Sequence, residues 1–501
     1  MTPCTPSRAS RSARTALALL LISGYWPARA ADAPNLPDLG EDSGALFSPQ
    51  QERKLGDDFM REARTQLDLL EDAEVGEYLQ RLGRGIAQFS DRPASEFRLF
   101  VVNDPRINAF AVPGGYIGVH TGLILAARNE SELAGVLAHE ITHITQRHIP
   151  RLIAQSERMT GPALAALLAA IVLAGASRQG QVGEAAIAMT AAGLQQSGLN
   201  FSRGFEQEAD RIGITLLARA GYEPSGMPDF FERMQTLTRA SEGNLPEFLR
   251  THPVTTRRIA ESRDHAETMP RVPARDGTEF FHAQARVRAL GPESPAALAA
   301  AFAAALDNGT SAHRQADRYG LAIAAARAKQ FDRAREEISA LRKAAPNYLP
   351  YRLAAAEIDL AAGSTASALR ALEVLSRAYP DHAAVAERYA AALMASGAPA
   401  RARDVLQKAV RQHPDSAHLY RLLAAAAGEA HSLMESHRAM AEHYYLLGNP
   451  QRAVEQLRLA LQHSRQSFYH QASIEARIRE IEDAAGLPPT REGRAPTKRW
   501  G

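Results

Sequence analysis

Apolar positions between residues 48 and 86, among them Leu55, Phe59, Leu70 and Ile86, recur at helical spacing, and Ser48 ahead of Pro49 is a good N-cap before a proline at the first helical position. A helical N-terminal layer is predicted there. Between residues 97 and 120 the pattern shortens to β-rich runs at 97–102 and 116–120, divided by the turn signals Asn103-Asp104-Pro105 and Pro113-Gly114-Gly115. A small sheet is expected. Helical spacing returns near Glu132, with Leu133, Val136 and Leu137 on the apolar side. Residues 161–176 are almost wholly apolar and carry no charge. That run is short of the ~20 residues a spanning helix needs, so it fits a buried helix or one in peripheral contact with a membrane surface.

Beyond Pro270, Pro273 and Asp276-Gly277, a linker at 269–277, an alanine-rich helical pattern takes over and a repeat emerges. Pro346, Pro380 and Pro414 share one spacing with Ala334, Ala368 and Ala402 and with Gly363 and Gly397, and that spacing of 34 residues is the tetratricopeptide period. Each unit reads as a helix holding a tyrosine (Tyr351, Tyr389, Tyr420), a turn, a second helix and a terminating proline. One unit cannot bury its own apolar face, so neighbours are expected to stack into a solenoid. A plain helical bundle would have no reason to hold three landmarks to one period. The phase is expected to slip near residues 428–436 and resume at Gly448-Asn449-Pro450, leaving the fourth unit irregular.

The ends read differently from the folded middle. Arg8, Arg11 and Arg14 precede an apolar stretch at 15–26, and Ala28-Arg29-Ala30 is a small-x-small cleavage site, so residues 1–30 read as a secretory signal peptide. An uncleaved anchor would need a longer apolar run. Removing the signal's four arginines takes the formal charge from +2 to −2, which leaves no electrostatic footprint for nucleic acid. Cys4, the chain's one cysteine, leaves with it, so any metal ligands must be histidine or carboxylate. Residues 486–501, basic around Gly493 and Pro496, have the composition of a disordered tail.

His139-Glu140-Ile141-Thr142-His143 is an HExxH motif within the helix expected from about Glu132. Histidines four apart lie about 40° apart around a helix and about 6 Å apart along it, so both imidazoles can reach one cation. Glu140 falls beside them. That is the division of labour amide hydrolysis needs: a cation to polarise the carbonyl and acidify water, and a carboxylate to move the proton. A third protein ligand is required, and the best stretch for it is Glu206-Gln207-Glu208-Ala209-Asp210. Glu206 and Asp210 share a helix face, whereas Glu208 points about 160° away. Glu206 is therefore expected as the ligand and Asp210 as the hydrogen-bond support of a liganding histidine; surface charges on an acidic helix start are the alternative. His148 is a rival ligand, but it lies about 180° around the helix from His139 and more than a turn beyond His143, so it is not expected to reach the metal and takes a solvated or capping role. Gln146 and Ile149 occupy the glycine and third-histidine positions of the HExxHxxGxxH arrangement, which therefore fails. A His, His, Glu set with one open position favours Zn2+, one per chain.

HEITH, the stretch FSRGFEQEAD at 201–210 and NAFAVPGG at 108–115 resemble the HtpX/CAAX-protease-type zinc peptidases. With a signal peptide ahead and tetratricopeptide repeats behind, the resemblance to periplasmic members of that family covers nearly the whole mature chain. It implies zinc on His139, His143 and Glu206, with Glu140 as catalytic base and Asp210 supporting a ligand. It also implies that Asn108, Ala109, Phe110, Ala111 and Val112 form an edge to which an extended substrate adds a strand, where a mere hairpin turn is the plainer reading. Thr251-His252-Pro253 with Arg258 matches a further stretch of those members and implies that His252 takes the open zinc position as a regulatory latch. From composition alone His252 is a loop histidine before a proline.

The expected fold class is mainly α: an α+β gluzincin-type metallopeptidase domain with a small β-sheet at 48–268, after an N-terminal linker at 31–47, and then an α-helical tetratricopeptide solenoid at 278–485. The expected function is a periplasmic zinc endopeptidase. Its substrates, by resemblance, are unfolded or stalled outer-membrane β-barrel proteins whose assembly it also promotes as a chaperone, with the repeats docking it to the β-barrel assembly machinery. The competing class is a repeat-based chaperone or adaptor with a largely silent zinc site. A membrane-embedded prenyl-type protease would need several spanning helices, and the mature sequence offers at most one marginal candidate.

Overall fold

The computed structural model describes residues 48–155, 203–240, 246–272, 275, 277–464 and 467–488. The expected signal peptide at 1–30, the expected linker at 31–47, the apolar run at 161–176 and all but the first three residues of the expected tail at 486–501 lie outside them.

Helix α1 (Pro49–Gln66) starts on a capping box, the Ser48 hydroxyl accepting from the Gln51 backbone while the Gln51 side chain accepts from the Ser48 backbone N–H. Helix α2 (Ala73–Ala87) is capped by Asp72 and buries Val75, Leu79, Leu82 and Ile86. Three strands follow: β1 (Arg98–Val102), β2 (Ala109–Val112) and β3 (Tyr116–His120), in the order β1-β3-β2. β1 runs parallel to β3 with Phe100 opposite Gly118, and β2 runs antiparallel to it with Phe110 opposite Gly118, so β2 is the outer strand. The two β-rich runs read from the sequence are β1 and β3. The four-residue β2 between them is too short for its alternation to register.

After the short α3 (Thr121–Ala126) comes α4 (Glu130–Thr145), capped by Asn129, with acids in its first turn and every residue from Glu132 to Ile144 buried. It ends at Thr145, and α5 (His148–Gln155) starts afresh beyond it. α6 (Arg203–Arg219), α7 (Gly226–Ala240), α8 (Glu247–Thr251) and α9 (Thr256–Thr268) complete this half. α6 packs along α4 so closely that a Cβ added to Gly213 would sit 3.2 Å from the Ala138 carbonyl. The approach brings the face of α6 carrying Glu206 and Asp210 against the face of α4 carrying His139 and His143. Val136, Leu137 and Ile141 of α4 pack with Leu217, Phe230 and Phe231 in one core.

From α10 (Thr278–Ala289) and α11 (Pro295–Asp307) onward the chain is a stack of antiparallel helices. Five pairs follow: α12 (Arg314–Arg327) with α13 (Phe331–Ala344), α14 (Leu349–Ala361) with α15 (Thr365–Ala378), α16 (Ala383–Ala395) with α17 (Pro399–Gln412), α18 (Ala417–Glu429) with α19 (Leu433–Leu446), and α20 (Pro450–Gln462) with α21 (Phe468–Ala485). The expected slip near 428–436 does not occur. The turn inside each of the first four pairs turns on one residue with positive φ: Lys329 at 60°, Gly363 at 79°, Gly397 at 74° and His431 at 57°. The 34-residue period therefore runs on through positions where the glycine is replaced. Gly448 belongs to the connection between pairs, where α1 presses on the chain and a Cβ would meet the Arg61 carbonyl at 2.3 Å. Gly486 caps α21 and Leu487 packs against its core, so ordered structure continues past residue 485. Among the described residues no helix is long and apolar enough to cross a membrane.

The repeats hold the first half through ion pairs around α2. Arg286 of α10, buried, takes both oxygens of Asp72 at 2.8–2.9 Å and reaches Glu74, while Arg388 of α16 bridges Glu74 at 2.7 Å and Glu357 at 3.0 Å. Tyr319 donates to Glu74, His382 pairs with Glu77, and His418 lies between Glu71 and Glu387. Burial works to raise Asp72, but Arg286 outweighs it and holds the carboxyl at about 2.

Candidate metal centre and active site

His139 Nε2 and His143 Nε2 are 3.0 Å apart, and the Glu206 carboxylate lies 3.6 Å from the first and 3.5 Å from the second. His252, at the C-terminal end of α8, brings its Nδ1 to 3.3 Å from His139 Nε2 and 3.0 Å from Glu206 Oε1. One donor atom from each of these four buried residues lies within 4.8 Å of the others. Donors about 2.1 Å from a tetrahedral ion stand about 3.4 Å apart along each edge, so this spacing is that of ligands around one cation, and the donor set suits a divalent metal ion.

Each group is held from behind. His139 Nδ1 is 3.0 Å from Asp210 Oδ1, and Arg258 grips Asp210 through two bonds of 2.8 Å. The same guanidinium reaches Glu206 Oε2 at 2.8 Å and the Pro253 carbonyl. His139 Nδ1 and Glu206 Oε2 nonetheless form no aligned hydrogen bond among the described residues, so these two contacts are close in distance with off-line geometry. Thr255 caps α9 and delivers Arg258 in its first turn. The sequence marks Arg258 only as part of the stretch with Thr251-His252-Pro253; its role here answers the need of two buried acids one turn apart for a nearby cation.

His148 does not take the expected place. The motif helix stops at Thr145, Arg147 adopts a left-handed φ of 54° held by Glu52, and the chain turns back, so His148 is buried rather than solvated. Its Nδ1 is 2.8 Å from His143 Nδ1 and its Nε2 is 3.2 Å from Glu208 Oε2. A helical wheel continued past Thr145 cannot see this.

Glu140 lies next to the four donors with its Oε1 3.5 Å from His252 Nε2 and no aligned partner for that oxygen among the described residues. The Ala111 backbone N–H of β2 bonds the same carboxyl, which ties the outer strand to the site. Asn108 through Val112 are all buried, and the Phe248 N–H of α8 bonds the Ile107 carbonyl at the strand's entry. Burial raises the Glu140 pKa against the pull of His252 and His139. Burial also works to raise Glu206, but His252, His139 and Arg258 outweigh it and hold that carboxyl at about 2. Burial, then His139 and His252, push His143 well below the ordinary imidazole range.

The profile of peptidase family M48 matches residues 74–266 and a tetratricopeptide-repeat profile matches residues 359–426. The β-barrel assembly-enhancing protease of Escherichia coli K12 is 34% identical over 359 residues, covering 72% of this chain and 73% of that protein. The putative β-barrel assembly-enhancing protease of Vibrio cholerae is 36% identical over 337 residues, 67% of this chain and 69% of that one. The mitochondrial metalloendopeptidase OMA1 of Schizosaccharomyces pombe is 31% identical over 209 residues, 41% of this chain and 56% of its own. Identity and coverage at that level, over a site that gathers the HExxH histidines with a glutamate from a second helix, place the chain in the M48 family of metallopeptidases, with tetratricopeptide repeats after its peptidase domain.

Proposed function

We propose that the chain is a periplasmic zinc endopeptidase that acts on misassembled outer-membrane β-barrel proteins and is held latent by His252. The reading rests above all on the four buried donors that meet beside Glu140. His139, His143 and Glu206 would hold the ion, one per chain, and a zinc ion there supplies Lewis acidity toward a scissile carbonyl and an attacking water. Glu140 takes the proton from that water as the C–O bond forms and returns it to the amine as the C–N bond breaks, and its raised pKa suits both transfers. Asp210 keeps the His139 ring oriented from its Nδ1 side. Asn108–Val112 receives an extended substrate as an added strand, which fits segments that have failed to pair within their own barrel.

His252 fills the fourth donor position, so substrate and water gain access once α8 swings it out. Domain bounds of 48–268 for the peptidase and 278–485 for the repeats follow the change in architecture across the 269–277 linker. The relatives' name supplies the substrate class and an assembly role, the repeats are proposed to dock to the β-barrel assembly machinery, and the signal at 1–30 supplies the compartment. The test compares parent and His252→Ala on a urea-unfolded outer-membrane β-barrel protein and on an unfolded helical protein of similar size. Faster cleavage by the variant, with the barrel protein preferred, is expected. No gain removes the latch, and equal cleavage of both removes the substrate class.

A further inference from the structure

We infer that His148 is a positioning residue for the metal centre, the middle of a relay His143–His148–Glu208 that fixes the tautomer of His143. The inference rests on His139, His143 and Glu206 being the metal ligands. Two ring nitrogens 2.8 Å apart bond only when one carries a proton and the other a lone pair. His143 faces the other donors through Nε2, so that nitrogen must keep its lone pair for the ion and the ring proton must sit on Nδ1. His148 then accepts on Nδ1, which puts its own proton on Nε2, and that N–H donates to Glu208 Oε2 at 3.2 Å.

The far end of the relay is anchored. Arg151 pairs with Glu208 at 3.0 Å and lies 4.6 Å over the Phe205 ring, and His148 stacks on the same ring at 4.6 Å with the planes 11° apart. The two liganding histidines of α4 are thus served alike. His139 is backed by Asp210 and Arg258; His143 is backed, one imidazole further out, by Glu208 and Arg151. The arrangement gives each acid of the Glu206-Gln207-Glu208-Ala209-Asp210 segment a task at one ion, although Glu208 faces away from Glu206 on the helix. The left-handed Arg147, clamped by buried Glu52, is what turns His148 back to meet His143.

The experiment measures zinc affinity of the mature chain by competition with a chromophoric chelator, and the visible spectrum of the cobalt-loaded protein. His148→Phe keeps the stack on Phe205 and removes the acceptor; it is expected to weaken zinc binding about 10- to 100-fold and to shift the cobalt bands. His148→Asn places an amide oxygen near the lost Nδ1 and is expected to restore most of the affinity and the parent spectrum. Glu208→Gln weakens binding by a smaller factor. A His148→Phe protein that folds and binds zinc within about twofold of the parent overturns the relay, since a purely structural residue would change melting temperature and not affinity. Should that variant fail to fold, unchanged affinity in Glu208→Gln overturns it equally. Cleavage does not enter these readouts: a metal-loaded His252→Ala chain that cleaves nothing counts against the peptidase reading alone, whereas a parent that binds no metal removes the ligand assignment and the relay together.

Discussion

The protein buries charge in two places, and they are built to different ends. Around α2 the repeats contribute Arg286 and Arg388 to meet Asp72, Glu74 and Glu357, with the Tyr319 hydroxyl added, and no buried side-chain polar atom of these residues lacks a hydrogen bond among the described residues, although His382 Nδ1 and His418 Nε2 at the junction's rim do. At the α4–α6 crossing Glu206 and Asp210 share one guanidinium, Arg258, Glu140 faces His252, and His139 Nδ1, Glu140 Oε1 and Glu206 Oε2 go without an aligned partner among the described residues. The centre of the junction is closed on itself. The other cluster is short of positive charge at the point where four donor atoms converge, which is what a site for an added cation requires.

The sharpest way to break the contrast is to strike the site without touching the fold. In a His252→Ala background, Glu140→Gln is expected to lower initial peptidase rates by about 10³-fold, roughly 4 kcal/mol of barrier, with metal content and melting temperature unchanged. Persistent cleavage would remove Glu140 from the chemistry. The converse experiment strikes the junction. Arg286→Ala leaves the largely buried Asp72 without its paired guanidinium and is expected to cost about 3 kcal/mol in denaturant titrations while the chain still binds its metal. A loss below about 1 kcal/mol would mean that the junction is wet and weak.

Metal removal separates the clusters by ligand. With free ion at about a hundredfold excess over Kd, stripping it should cost about 2.7 kcal/mol of stability, and restoring it should recover the parent melting curve. The same treatment of a chain carrying Arg286→Ala should subtract an equal amount, because the clusters share no partner. The smallest effect lies at the rim of the junction. The neighbouring carboxylates of Glu387 and Glu71 outweigh burial and raise His418 to about 9, even though Arg421 approaches the same ring. A folded-state pKa above the unfolded value of about 6.5 contributes stability that is fully present below pH ~6.5 and is lost as pH rises through ~9. His418→Gln should therefore cost about 1–2 kcal/mol at pH 6, discounted for the half-exposed Glu71, and nothing at pH 10. A parent–variant difference that does not change with pH would contradict it.

How much of this could be read along the chain depends on how local each constraint is. A 3.6-residue period is local, so the pairing of His139 with His143 and of Glu206 with Asp210 on facing helix sides was legible, and so was the 34-residue repeat. Where a single residue's backbone conformation redirects the chain, the pattern misled. Arg147 ends the extrapolated helix and returns His148 to the site, and His431 makes the turn expected of glycine, which disguises a regular unit as a slipped one. Arg258 acts on residues 48 and 52 positions away in sequence, and β2 is a strand of four residues defined by its pairing to β3; neither leaves a periodic trace.

The central claim, one catalytic ion on His139, His143 and Glu206 with Glu140 moving the proton, is tested most directly by measuring metal content and casein cleavage together in the His252→Ala chain, with and without Glu140→Gln. The account predicts one zinc per chain in both and cleavage only where Glu140 is intact. Chains that hold no metal, or cleavage that survives the loss of Glu140, would contradict it.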